Sequence, residues 1–311
     1  MYLKRIVIVI LFTCSAAYLT GLWFDSMYKK RWNVLWFEKT EELLKNDSSY
    51  DIIFLGNSRV HFGINPYYVD SVTKLKSYNF GNGGADATDI MLTSNLYLQN
   101  NKAPKLVIIS VDPGILMGNK ILQTRYHYLF YLNNDTISKY MHQAGFSTVL
   151  IKIFPFIKYS FFDEYNRTSI FVTGKPYPVF EHNIYKGFLN IHQVTNSQLP
   201  SPYTRDTVSR KISDSAIMYF KNTLTLLQQK GSDVLIVWPP LRSSAKKFKA
   251  DFVKTCDSIL STIAKEYRIK QFHFDYDTTY KNEYFVDEIH LNEPGSRIFS
   301  KQLGDSINSL K

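Results

Sequence analysis

The 311 residues include 45% hydrophobic and 21% charged side chains, a formal charge of +10 and two cysteines. That length can bury a real core in one large domain or two small ones, and the balance excludes a disordered chain and a disulfide-framed mini-protein. The basic excess fits an anionic membrane surface or polymer. A nucleic-acid partner is not expected, because the lysines and arginines are scattered and no zinc spacing, helix-turn-helix signal or aromatic RNA-binding signature is present. Aromatic residues reach 15%, which suits grooves and cores alike.

At the N-terminus, Lys4 and Arg5 precede an uncharged run from Ile6 to Phe24, about the length that spans a bilayer. The run continues past Ala16-Ala17 into Tyr18, Leu19, Leu22 and Trp23, whereas a cleaved signal ends in small residues. Tyr18 and Trp23 suit a membrane–water interface. Residues 1–24 are therefore expected to form an uncleaved transmembrane signal-anchor. Lys4 and Arg5 favour a cytoplasmic N-terminus, while Lys29, Lys30 and Arg31 pull the other way. So short a tail before a signal-anchor places the large C-terminal domain outside the cytoplasm. "LFTC" makes a poor lipoprotein box, because Thr13 before Cys14 is too large. Cys14 and Cys256 are packing residues without partners at metal-ligand spacing, and neither a metal nor a cofactor is expected. Residues 25–50 suggest a juxtamembrane helix, with Trp32, Trp36, Leu43 and Leu44 on the membrane surface or the domain, broken by "NDSS".

From Asp51 the pattern alternates strand and helix. "DIIFLG" is a short apolar run of the kind found in buried parallel strands. "KSYNFGNGG" is a second strand ending in glycines, "DIMLTSNLYLQ" a helix and "PKLVIISVDPG" a third strand. The segment from about 115 to 210 breaks the rhythm. Its aromatic- and proline-rich stretches ("FPFIKYSFFDEY", "GKPYPVFEHN") suggest an insertion of short helices and loops, a lid or acceptor groove. The alternation then resumes. Ala216, Phe220, Leu224 and Leu227 stripe a helix stopped at Gly231, and "DVLIVWPP" is a strand. Phe248, Phe252, Cys256, Ile259 and Ile263 stripe another helix, and "KQFHFDYD" is a further strand. Phe299, Leu303, Ile307 and Leu310 stripe a last helix, capped by Asn292 with Pro294 in its first turn. These predict an α/β domain over residues 51–311: a parallel sheet between helical layers, with ligands bound beyond the carboxyl ends of the strands.

Three features fall at that edge. Ser58 follows the first strand in "GNSR", glycines follow the second in "GNGG", and "DEIHLN" places Asp287 three residues before His290. Each alone is commonplace. Together they supply the parts of acyl transfer: a serine nucleophile, a base to take its proton, a carboxylate to orient the base, and backbone donors for an oxyanion. No phosphate-loop signature accompanies the glycines, which sets aside a nucleotide-binding flavodoxin-like reading.

"FLGNSR", "NFGNGGADA" and "FVDEIHLNEPG" resemble three blocks of the SGNH (GDSL) hydrolases. The resemblance covers about residues 51–112 and 214–305. It implies a flavodoxin-like three-layer sandwich, with Ser58 as nucleophile, His290 as base, Asp287 as its partner, and Ser58 and Gly84 in the oxyanion hole. Two positions depart from the pattern: Asn57 stands where the family usually has Asp. Asp112, in "ISVDPG", stands near the Asn that donates to the oxyanion; an ionised Asp accepts and cannot donate, unless it stays protonated. A membrane anchor before such a domain is similar to one subgroup, the D-alanyl transfer proteins of teichoic-acid operons and the exopolysaccharide O-acetylation proteins. That similarity implies a serine esterase or O-acyltransferase on the outer side of a bacterial plasma membrane, acting on a glycan or acylated polymer beside a membrane-bound O-acyltransferase. Arg59 would bind an anionic substrate group or steady Asp112; His61 is a weaker candidate. Asn57 and Asp112 keep open a rival reading, a catalytically degenerate domain that binds glycan or scaffolds an acyltransferase.

Overall fold

The computed structural model describes residues 2–31, 34–118, 126–161, 184–190, 211–247 and 251–310. It divides into two compact units, Met1–Thr40 with Lys120–Val179, and Glu41–Asn119 with Phe180–Lys311.

The second unit is built on a parallel sheet. Its strands are β1 (Ile52–Leu55), β2 (Ser77–Asn79), β3 (Leu106–Ser110), β6 (Asp233–Trp238) and β7 (Lys270–His273), and a separate two-residue hairpin supplies β4 (Ile184–Tyr185) and β5 (Phe188–Leu189). The sheet order is β2-β1-β3-β6-β7, and every neighbouring pair in it is parallel. β1 is apolar throughout and wholly buried, as a strand covered on both faces must be. Alternate residues serve opposite faces. Ile52, Phe54, Ile108, Leu235 and Val237 meet Val69 of the helix Pro66–Thr73 and Phe299, Leu303 and Ile307 of the helix Glu293–Asn308. Each such side chain contributes roughly 1.5–3 kcal/mol on burial. Right-handed crossovers put the helices Ala87–Asn100, Asp214–Gln229 and Asp251–Glu266 on the other face. Thr223 Oγ1 contacts Met91 Sδ at 3.3 Å, and Lys221 pairs with Glu266 at 2.7 Å.

The local signals are read out closely. Asn292 accepts from the Gly295 amide at the start of the last helix, Asp86 and Asp89 form a capping box before the helix that follows β2, and Gly231 (φ +84°) ends the helix before β6. The stripe of Asp251–Glu266 differs from the expected one: Val253, Cys256, Leu260, Ile263 and Ala264 are buried, while Phe252 and Ile259 are only half-buried. Phe248 lies outside the described residues. Within the described helix the buried stripe runs Val253, Cys256, Leu260 and Ile263, with the i+3/i+4 spacing of one helix face. Burial pushes the Cys256 thiol up to about 12, consistent with a packing residue.

The first unit contains the helix Tyr2–Arg31, whose segment Tyr2–Ser26 is long and apolar enough to cross a membrane. Part of the irregular middle segment belongs to this unit: the helices Asp135–Gln143 and Thr148–Ile153 and the 3-10 turns Tyr126–Phe130 and Pro155–Phe161. The hairpin β4–β5 belongs to the other unit. Residues 119–125, 162–183 and 191–210, including "GKPYPVFEHN", lie outside the described residues, as do Trp32 and the side chain of Trp36.

Candidate active site

The chain leaves β1 towards β2 on one side and later returns to β3 on the other, so the crevice beyond the carboxyl ends of β1 and β3 is the switch point where such sheets bind ligands. Gly56 ends β1 with φ +144°, and a Cβ there would lie 2.6 Å from Val60 Cγ2 and 2.9 Å from the Ser110 carbonyl oxygen. Only glycine lets the backbone turn this close to β3. Asn57 caps the one-turn helix Ser58–His61, its Oδ1 accepting from the Arg59 amide at 3.0 Å. Ser58 thus opens the helix half-buried, with its hydroxyl at the sheet edge.

His290 arrives from 232 residues downstream. Phe285 and Leu291 are buried at 1% and 3% exposure and form an isolated antiparallel bridge that pinches the intervening loop. Within it Asp287 Oδ1 accepts the amides of Ile289 (2.9 Å) and His290 (2.8 Å), and Oδ2 faces His290 Nδ1 at 2.7 Å. Burial pushes the Asp287 carboxyl up, but the His290 hydrogen bond and charge and the two amides outweigh it, holding the group below the usual carboxylate range. An ionised carboxylate only accepts, so Nδ1 carries the proton and Nε2 presents a lone pair. Nε2 lies 2.7 Å from Ser58 Oγ. The Phe62 ring stands edge-on to the imidazole at 5.7 Å. Gly84 follows β2 with φ +70°, and the amides of Ser58 and Gly84 make no hydrogen bond within the described residues.

No protein-family model matches the sequence. No curated protein matches it significantly. Solved structures similar to it include an acetyl xylan esterase, at 12% identity over 83% of this chain and 98% of that one with a TM-score of 0.43. Another is the lipase/acylhydrolase from Enterococcus faecalis, at 9% identity over 84% and 97% with a TM-score of 0.43. Overlaps this loose carry no functional argument, and the chemistry rests on the residues of this chain.

Around the Asp287–His290–Ser58 chain the remaining candidates hold the loops. Asp112 is buried and caps the turn Pro113–Leu116; Oδ1 accepts the Gly114 amide at 2.7 Å and Oδ2 accepts Asn57 Nδ2. Both oxygens act as acceptors, so Asp112 offers no donor in place of the Asn of the resembled pattern. The two positions that depart from the resembled pattern bond each other. Arg59, expected to bind an anionic substrate group or steady Asp112, is buried against backbone. Its side chain is 4% exposed, and one terminal nitrogen donates to the carbonyls of Pro239 and Pro240, each at 2.8 Å. It ties the loop after β1 to the loop after β6. His61 is buried and stacked on Phe62 at 4.4 Å, a packing position. Asn79 was not singled out from the sequence, yet it is fully buried. Its Nδ2 donates to Val60 (2.8 Å) and Ile64 (2.6 Å) carbonyls, while Oδ1 accepts the Gly81 amide at 2.9 Å. Its one available signal was an Asn at a strand end before a glycine turn.

Proposed function

We propose that the chain is a serine esterase or O-acyltransferase, held by its N-terminal helix in a bacterial plasma membrane with the catalytic domain outside, acting on an acylated envelope or exported glycan. The observation that carries the reading is the hydrogen-bonded chain from Asp287 through His290 to Ser58. Ser58 Oγ attacks an acyl carbonyl as its proton passes to His290 Nε2, and Asp287 stabilises the resulting imidazolium. The oxyanion forms against the amides of Ser58 and Gly84. Collapse expels the alcohol, which takes the proton from His290 and leaves an acyl group on Ser58. Water or a sugar hydroxyl then gives its proton to His290 and attacks the ester, and the returning proton restores Ser58. A net charge of +10 suits an acidic polymer, and a membrane-bound O-acyltransferase is the expected partner if the acceptor is a sugar.

A fluorophosphonate reagent tests the reading, since it labels only an activated serine. Wild type should label, and Ser58→Ala should not. No labelling of the wild type, or equal labelling of both, sinks the serine enzyme. It would favour the degenerate glycan-binding reading, for which the engagement of Asp112 is the supporting observation. Acyl release measured with and without candidate glycans then separates hydrolysis from transfer.

A further inference from the structure

Within the first unit, the stretch around the helix Thr148–Ile153 exposes Val149 (68%), Leu150 (43%), Ile153 (54%), Phe154 (43%) and Phe156 (36%). Five large apolar side chains presented in so short a stretch mark a covered surface. The inner side of the stretch is occupied: Ile151 and Tyr159 are buried, and Pro155 packs on the N-terminal helix. Gly21 makes that contact, since a Cβ there would stand 2.8 Å from Pro155 Cβ, and a small residue lets two backbones approach. The Phe24 ring lies 5.5 Å from Phe156 and 6.4 Å from Tyr159. Asp25 accepts from Lys158 and from the Tyr159 hydroxyl. The exposed side of the stretch therefore continues the exposed apolar surface of the helix Tyr2–Arg31, through Trp23, Phe24 and Phe156.

The position along that helix identifies the occupant. Gly21 lies five residues before Ser26, where the apolar stretch ends, which is about 7.5 Å of helix rise. Interfacial helices seat their apolar face roughly 5–10 Å into the headgroup–acyl boundary. We infer that residues 149–156 form a second membrane contact, lying in the outer headgroup–acyl boundary of the bilayer that the N-terminal helix crosses. The inference rests on the anchor reading above. Lys152, exposed among the apolar side chains, extends its amine towards lipid phosphates. The aromatic insertion is then, in this part, a membrane-seating element rather than a lid.

The test uses the full chain with Cys14→Ser, because Cys256 is buried. Single cysteines at Val149 or Ile153 carry an environment-sensitive nitrobenzoxadiazole label. Ile10 in the apolar helix and Met218 on the sheet unit serve as reference sites. The protein is reconstituted into phosphatidylcholine–phosphatidylglycerol vesicles with or without bromine on the acyl chains. Several-fold quenching by bromine at Val149, Ile153 and Ile10, with none at Met218, is the expected result. Quenching at Ile10 alone, with Val149 and Ile153 behaving like Met218, overturns the inference and leaves the anchor standing. Blue-shifted labels at Val149 and Ile153 that bromine does not quench also overturn it, because a protein then covers the patch. Absence of quenching at Ile10 removes the anchor and this inference with it.

Discussion

Asn57 and Asp112 hold complementary halves of one buried hydrogen bond, amide to carboxylate. Each has a second duty, Asn57 Oδ1 on the Arg59 amide and Asp112 Oδ1 on the Gly114 amide. Exchanging them keeps every donor opposite an acceptor. Asn57→Asp alone sets two carboxylates together, and Asp112→Asn alone turns an amide donor towards a backbone N–H or towards Asn57. Each single variant should lose about 1–3 kcal/mol, the penalty for a buried polar group left without its partner, and the double exchange should recover most of it. Urea midpoints of the four proteins measure this; additive losses in the double variant would refute the pairing. Asp287 gives a second residue-scale prediction. Asp287→Asn reverses the tautomer preference of His290 and should lower turnover by about 10⁴-fold while leaving the fold around Ser58 intact. Stability should respond to pH in a fixed direction. The folded carboxyl sits below its unfolded value, so it stabilises fully above about pH 5, and the contribution disappears as pH falls through the lowered folded value. The urea-midpoint gap between wild type and Asp287→Asn should therefore narrow in acid; a gap that stays constant to the acid limit would show that the loop gains nothing from the ionised form.

Between elements, the site depends on how the one-turn helix Ser58–His61 is held. A four-residue helix cannot support itself. Asn79 at the end of β2 grips both the Val60 and the Ile64 carbonyls. The hairpin β4–β5 braces β2 in turn: the Lys186 carbonyl accepts from the Asn79 amide at 3.0 Å, and the Lys186 amine pairs with Asp70 at 2.6 Å. Asn79→Asp is nearly isosteric but donates nothing. It should lower kcat with little change in KM, because Ser58 drifts from His290 Nε2 while the substrate surface stays. A variant with raised KM and unchanged kcat would place Asn79 in binding instead. The strands and long helices were legible in the sequence because burial writes itself as period: the unbroken "IIFL" of a two-sided strand, the Phe299–Leu303–Ile307 stripe of a surface helix. Ser58, Asp287 and His290 were legible because the alternating rhythm puts their loops at one edge, even across 232 residues. Asn79, the Asn57–Asp112 bond and the buried duty of Arg59 were not. A side chain that bonds distant backbone leaves no periodic trace, and an arginine reads the same whether it faces solvent or two proline carbonyls. The stripe of Asp251–Glu266 was misplaced for a smaller reason: apolar residues stand side by side at 252–253 and 259–260, and either member of each pair keeps helical spacing with Cys256 and Ile263.

At the scale of the whole chain the remaining lever is charge. A net +10 over 311 residues is spread along the sequence, and dispersed charge of one sign acts through its summed field on whatever diffuses near it. An acidic polymer would be drawn to such a surface from many directions, whereas a small neutral ester would not sense it. The Debye length falls from about 30 Å at 0.01 M salt to about 8 Å at 0.15 M, so most of that attraction is screened over the range. For an acidic glycan substrate, kcat/KM should drop about tenfold or more across it, chiefly through association. For a neutral acetyl ester cleaved by the same Ser58 it should hardly move, because the charges that matter there, Asp287 and the developing imidazolium of His290, sit 2.7 Å apart and are screened little. Parallel salt titrations on the two substrates read the difference directly. Equal salt dependence for both would mean that the basic excess serves the membrane surface or solubility and has no part in choosing the polymer.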